Sequence, residues 1–393
     1  MPQSAPHLFD VTTEQMLSDP YPVFDRVRDM GSAVWVDAVR LHLVTRFDDV
    51  VTVERNPEVF ASTNPGSLMN VVMGHSLMRK DGEAHRVERA AINPSFQPDV
   101  VKAHWLPLFR QIAEELVTAF EGQGRVDLFP SFAAPMASRS LIALLGFRDV
   151  AWQDLADWSQ ALMDGVGNYQ ADPEIGVRAR AASDGIDAAI DAVIDDHRVS
   201  PNPTILSSMV HAETPHSLEQ IRTNIKVIVG GGLNEPRDAI LTLLQALLEN
   251  PEQRQQVEAD PKLFFKAFEE SVRWVSPIGM YPRRVTRDAV LGDTQLREGD
   301  QIGICVGAAN RDPRHFDHAG RFDMGRAKAR HLAFGAGPHF CAGSWTARVM
   351  VGDIAVPLLL SRLRNLRLDP DNPVQSRGWV FRGPVTLPVV WDV

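Results

Sequence analysis

Cys341 stands in a glycine-rich stretch, Phe334-Gly-Ala-Gly-Pro-His-Phe-Cys-Ala-Gly343, directly before an apolar run from Ser344 to Leu360. Gly335, Gly337 and Gly343 open backbone conformations closed to residues with a Cβ and let a flat ligand come close. The apolar run reads as a helix whose N-terminus points back at Cys341. That end carries partial positive charge and unpaired N–H groups, which favour a thiolate over a thiol. A thiolate so held is a strong electron donor to a metal. His339, two residues upstream, is placed to reach an anionic edge of whatever Cys341 binds. The plainer reading is a structural cysteine on a turn.

Two further stretches carry chemistry. In Asp81 to Arg89, His85 and Arg89 are four apart and share one face of a helix. Two cationic donors on one face suit a pair of carboxylates, although alone they also fit a solvated surface. The longest helical pattern runs from Ser217 to Asn250, with Ser217 and Gln220 as a capping box and Pro251 beyond its end. At about 1.5 Å per residue it spans around 50 Å. Its middle, Val229-Gly-Gly-Gly-Leu-Asn-Glu-Pro-Arg237, should break a helix. Pro236 has no N–H, so the carbonyl of Gly232 loses its partner. An opened helix lined by small residues makes a groove for a diatomic ligand and water, and a sequence that carries such a cost usually gains function there.

The loop around Cys341 resembles the haem-binding loop of cytochromes P450, Phe-Gly-x-Gly-x-His/Arg-x-Cys-x-Gly, at all its specified positions. The resemblance runs from about Pro20 to the end of the chain. It implies a mainly helical fold with a smaller β region, one haem domain over residues 1–393, and haem b (iron protoporphyrin IX) between the long distal helix and the Cys341 loop. The β-rich portion is expected around residues 30–60, 278–306 and 365–393. Cys341 would be the axial thiolate, pushing electron density onto the iron to favour O–O cleavage. Phe334, Gly335 and Gly343 would shape the loop, and His85, Arg89, Arg283 and His339 would hold the propionates, with Arg284 a close second to Arg283. Glu270 and Arg273 resemble the family's structural Glu-x-x-Arg pair.

At the distal helix, Gly231 and Gly232 fall in the family's oxygen groove, Asn234 at its acid position and Glu235 at its threonine position. The usual alcohol-assisted proton relay is therefore altered. A carboxylate there acts as general acid/base and can also deprotonate hydrogen peroxide, or it is a structural group bonded elsewhere. The Asn-Glu-Pro order, with Gly378-Trp-Val-Phe-Arg-Gly-Pro384, resembles a subset of bacterial P450s that includes guaiacol-type aryl-ether O-demethylases. The implied function is a monooxygenase that oxidises a small organic substrate with O2, by O-dealkylation of an aryl alkyl ether. Other readings are an aliphatic ether, a peroxide-driven peroxygenase, and a non-catalytic haem sensor. Val72, Leu77, Val166, Val229, Ile278, Met280 and Phe381 are the expected pocket residues.

Composition narrows the field. A net charge of −10 argues against general nucleic-acid binding. Two cysteines suit a reducing cytoplasm and are too few for a disulfide framework or a four-cysteine iron–sulfur cluster within this chain. Met1 to Asp10 lacks a signal-peptide pattern, and no apolar run approaches about 20 residues. A soluble cytoplasmic protein without membrane partners is expected. No Gly-x-Gly-x-x-Gly fingerprint is found, so electrons, if needed, must come from separate proteins; the resemblance implies a ferredoxin, a ferredoxin reductase, or both.

Elsewhere Pro22 to Met30 and Arg46 to Asn56 read as helices, and Ala33 to Val36 with Leu41 to Thr45 as a hairpin. Ala61 to Gly82 reads as a long irregular binding loop. Leu162 to Tyr169 and Gln170 to Gly176 read as a helix–loop–helix junction. Arg326, Lys328 and Arg330 form a basic stretch that is either a steering patch for an acidic redox partner or a solvated loop.

Overall fold

The computed structural model describes residues 3–168, 171–327 and 330–393. They fall into two compact units. The first comprises Met1–Asn64, Asp238–Cys341 and Asn365–Asp392; the second comprises Pro65–Arg237, Ala342–Arg364 and Val393. Helix predominates, and the strands are short. No helix of the described residues is long and apolar enough to cross a membrane.

The first unit is built on a six-stranded sheet in the order His7–Leu8, Val34–Val36, Leu41–Val44, Gln301–Ile304, Tyr281–Val285, Phe60–Ala61. The expected hairpin is present, with Val34 opposite Leu43 and Val36 opposite Leu41. Gln301–Ile304 runs parallel to Leu41–Val44 and antiparallel to Tyr281–Val285, which sets Ile302 opposite Arg283. The helix Phe47–Arg55 covers this sheet. Its Phe47, Val50 and Val53 pack with Phe60, Val285, Ile302, Ile304, Leu332 and Ala336. That core joins the sheet to the stretch leading into Cys341. Burying an apolar side chain of this size stabilises by roughly 1.5–3 kcal/mol.

Behind the Cys341 loop lies the helix Phe264–Trp274, preceded by the 3₁₀ turn Pro261–Leu263. Asp260 caps that turn by accepting from the Lys262 N–H. Arg273 Nε and Nη2 donate to the two carboxylate oxygens of Glu270, each at 2.7 Å, and Arg273 is only 2% exposed. The same guanidinium donates to the carbonyls of Asn310, Ala319 and Arg321, each at 2.8 Å. One buried cation thus satisfies three carbonyls of an irregular segment that has no ladder partners of its own. Arg326 belongs to this network too, 3.2 Å from Glu270, so it is not a free steering charge. Arg330 is exposed, and Lys328 lies outside the described residues.

The second unit is helical. The helix Leu218–Glu249 starts in it and is capped as expected: Ser217 N–H donates to Gln220 Oε1 and Gln220 N–H to Ser217 Oγ. The expected break does not occur, and the helix continues through its three glycines and Pro236. Side-chain packing on both flanks of the glycines compensates for their low helix propensity. The irregular loop expected over residues 61–82 is also corrected. It contains a helix, Leu68–Met73, and a 3₁₀ turn, Leu77–Arg79. Leu68–Met73 packs on the helix Trp152–Val166, where a Cβ on Gly165 would lie 3.0 Å from Val72. At the junction that follows, Asp172 caps the helix Pro173–Asp191; Tyr169 and Gln170 lie outside the described residues. The run after Cys341 is helix Ser344–Ala347, a π-helical stretch Arg348–Ala355 and helix Val356–Arg362.

Candidate active site

The Cys341 loop is held at its root and turned by glycine. Asn310 Oδ1 accepts the Leu332 N–H at 2.7 Å, while its Nδ2 donates to Ser276 Oγ at 2.8 Å. Gly335 N–H then bonds to Leu332 and Cys341 N–H to Phe334, at 2.8 and 2.9 Å. The second of these closes the loop on itself. Gly335 and Gly337 both have φ of +72°, the left-handed region. A Cβ on Gly337 would lie 2.4 Å from the carbonyl oxygen of Glu54. Gly337→Ala is therefore expected to cost at least about 1–3 kcal/mol, read as a lower urea midpoint, while Gly122→Ala, open on all sides, costs far less. Phe334 stacks on Phe268, with ring centroids 6.2 Å apart. The Cys341 thiol reaches the surface.

Cations gather in the same unit. Arg283 is 6% exposed; its guanidinium lies 5.0 Å above the Tyr281 ring and donates to the Pro282 carbonyl at 3.0 Å. Arg284 points to the other face of the strand and is half-buried, so the strand singles out Arg283 as the inward cation. His339 Nε2 is 3.1 Å from Ser62 Oγ.

Ile278 pairs with Phe381 in an isolated bridge, and both are half-buried. Met280 lies directly before the strand Tyr281–Val285. It is 5% exposed in a core with Met16, Val27, Leu43 and Trp379, and its sulfur would meet a Cβ on Gly303 at 3.2 Å.

In the second unit His85 is buried on the helix Gly82–Ile92, and Arg89 on the same helix donates to Asn93 at 2.7 Å. The helix Leu218–Glu249 uses its glycines for two purposes. A Cβ on Gly230 would lie 3.1 Å from Met163 and Met73, and one on Gly232 would lie 3.2 Å from Leu141. These two allow close packing. A Cβ on Gly231 would meet nothing within 4 Å, so Gly231 is the one that leaves space.

Asn234 is committed to the scaffold. Its amide oxygen accepts from Arg237 at 2.9 Å, and its Nδ2 lies 3.5 Å from Ser159 Oγ. Arg237 in turn sits 4.7 Å over the Phe129 ring. In the same turn, the two carboxyl oxygens of Glu235 are shielded from solvent. Val229 is fully buried and its carbonyl accepts from Ser159. Leu77 is buried, with its N–H on Asn224 Oδ1 at 2.9 Å; Val72 and Val166 are half-buried. Gly343 precedes the helix Ser344–Ala347 and accepts the Ala347 N–H.

Sequence reasoning missed two groups. One is the set Asn224, Glu88 and Lys80: Glu88 takes Asn224 Nδ2 at 2.9 Å and pairs with Lys80. Asn224 lies 136 residues from Glu88, so spacing does not reveal that they meet. The other is Glu54, 5% exposed beside the Cys341 loop. Here a signal existed, because Glu54 follows Val50 by four on the inward face.

This donor set fits an iron porphyrin. An exposed thiol stands on a glycine turn that a Cβ would fill, and a buried guanidinium and an imidazole in the same unit suit the porphyrin's two carboxylates.

Comparison with known proteins agrees. A family model described as Cytochrome P450 matches residues 174–378. Pulcherriminic acid synthase of Bacillus subtilis (strain 168) is 28% identical, over 98% of each chain. Mycinamicin IV hydroxylase/epoxidase of Micromonospora griseorubida is 30% identical over 95% of this chain and 94% of its own. Among solved structures, CalO2 superposes with a TM-score of 0.85 at 26% identity, covering 95% of this chain and 96% of its own.

Proposed function

The chain belongs to the cytochrome P450 family, and from that premise we propose that it removes an alkyl group oxidatively from a small aryl alkyl ether. The observation that carries this reading is the turn Asn234-Glu235-Pro236 within the unbroken helix Leu218–Glu249. There the amide is tied to Arg237 and the carboxylate stands where the family's alcohol would be.

The family is one of haem-iron oxidoreductases. Haem b, the form assigned here, supplies when bound the activation of O2 with electrons from a separate ferredoxin system. Cys341 would ligate its iron, with Phe334, Gly335 and Gly343 framing the loop and His85, Arg89, Arg283 and His339 serving its carboxylates. Gly231 leaves the space that oxygen and water require. Glu235, shielded from bulk water, accepts and returns protons there. Asn234 fixes the turn through Arg237 and Ser159. On the substrate side, one oxygen atom is inserted into the C–H bond next to the ether oxygen. The resulting hemiacetal breaks its C–O bond to release a phenol and an aldehyde. The other oxygen atom leaves as water, after two electrons and two protons have been taken up.

The test is a titration of the ferric holoenzyme with methoxyphenols, alkoxybenzoates, branched aliphatic ethers and fatty acids, followed by product analysis. A saturable Soret shift with one aryl ether series, and release of the matching aldehyde, is the expected result. A response confined to aliphatic ethers or fatty acids overturns the substrate class and leaves the family unchanged.

The buried carboxylate also favours a second reading, peroxide-driven turnover with Glu235 as the base for hydrogen peroxide. On that reading Glu235→Thr abolishes peroxide-driven product formation. Unchanged formation removes it.

A further inference from the structure

Glu54 is the one charged residue buried on the helix Phe47–Arg55, and nothing in the proposed reaction uses it. Three elements close on its carboxyl. The Cys341 loop brings the Ala336 N–H, which bonds to it, and the Arg330 charge. It also brings Gly335 so near that a Cβ there would lie 3.5 Å from Glu54 Oε1. The strand Tyr281–Val285 brings Arg283 and the Tyr281 hydroxyl, itself 3.5 Å from the same Cβ position. Its own helix brings Arg55. Oε2 is shielded from solvent and has no hydrogen-bond partner among the described residues. Below it, the carbonyl of Glu54 blocks any side chain at position 337. A carboxyl with one oxygen engaged and one oxygen buried unpaired is costly unless its charge answers a nearby cation.

We propose that Glu54 is a positioning residue for the haem: its carboxyl anchors the Cys341 loop at Ala336 and, when ionised, draws on the Arg283 charge that otherwise serves a haem carboxylate. The inference rests on the placement of Arg283 at that carboxylate in the proposed function. Burial pushes the Glu54 carboxyl up to about 7, against the opposing pull of Arg283, the Ala336 N–H, Arg330 and Arg55. The group therefore changes charge across neutral pH.

The signs follow directly. Below about pH 7 Glu54 is neutral and sets no negative charge beside Arg283. Above it, the new anion opposes the negative charge that reduction adds to the iron and weakens the grip on a carboxylate. The reduction potential falls and haem leaves more readily as pH rises. Stability follows the same direction. The folded state binds this proton more tightly than the unfolded chain, so the contribution is full below the ordinary carboxylate range and is lost as pH rises through about 7.

The experiment compares wild-type holoenzyme with Glu54→Gln across neutral pH, reading the reduction potential and the rate of haem transfer to apomyoglobin. In the wild type the potential falls through an inflection near neutrality, and transfer is about threefold or more faster at about pH 8.5 than at about pH 6. Glu54→Gln, which keeps the shape without the titration, flattens both profiles at the low-pH level. If the variant keeps the wild-type inflection, or the wild type shows none, the inference is overturned. Should Glu54→Gln fail to fold, the wild-type profile and that of Glu54→Asp decide: a carboxyl on a shorter stem must move the inflection. Arg283→Gln separates this inference from the reading it rests on. Unchanged haem transfer in Arg283→Gln removes both. Faster transfer in that variant, with identical wild-type and Glu54→Gln profiles, removes the Glu54 inference alone.

Discussion

A Cys341→Ser variant is expected to fold and to lose substrate turnover to background. Its ferrous carbon-monoxide complex should also lose the Soret position that marks a thiolate ligand. Folding and ligation respond to this change separately. The side chain of Cys341 is exposed, and the contact that closes its loop is made by its backbone N–H to Phe334, which serine keeps. Stability should therefore stay within about 1 kcal/mol of wild type. An alcohol, however, does not ionise near neutrality, so on the proposed assignment of Cys341 the electron-rich donor that favours O–O cleavage is gone. Thermal melting and the carbon-monoxide spectrum measure the two responses. A wild-type spectrum in the variant would remove Cys341 as the ligand.

Arg273→Met is expected to act in the opposite way, destroying the fold before the chemistry. The guanidinium is nearly inaccessible, pairs with Glu270 and satisfies three backbone carbonyls. Removing it leaves those three buried carbonyls unsatisfied, at about 1–3 kcal/mol each, and leaves Glu270 with Arg326 as its remaining cation. A marginal stability of about 5–15 kcal/mol does not absorb that comfortably. Urea denaturation should show the loss, with little haem retained. The control is Arg86→Ala. Arg86 pairs with Glu83 at the surface, both about 70% exposed, and such a solvent-screened pair contributes little. Equal losses in the two variants would refute the scaffold role of Arg273.

What the sequence disclosed depended on whether cause and effect were neighbours in the chain. The Cys341 loop, the Ser217–Gln220 cap and the Glu270–Arg273 pair are local, and their spacing carries their geometry. The strand alternation that buries Arg283 and not Arg284 is local as well. The helix Leu68–Met73 was hidden because its Asn and paired valines are indifferent helix formers, and its stability comes from the helix Trp152–Val166. The continuity of Leu218–Glu249 was hidden for the same reason, since Leu141, Met73 and Met163 fill the flanks that Gly232 and Gly230 leave low. Glu54 carried a legible sign, a carboxylate on an apolar helix face, but its meaning depended on a loop some 280 residues further along the chain.

The unlike settings of the two cysteines have a practical consequence for handling the protein. Cys305 is wholly enclosed, and burial pushes its thiol far above the ordinary range, so it does not form the reactive anion. Cys341 lies open to solvent. On the proposed assignment of Cys341 as the haem ligand, the haem-free chain is addressable at a single sulfur. Iodoacetamide should add one carbamidomethyl group per molecule, and iron on Cys341 should block it. Intact mass after a short alkylation pulse then counts the haem-free fraction of any preparation without reference to colour.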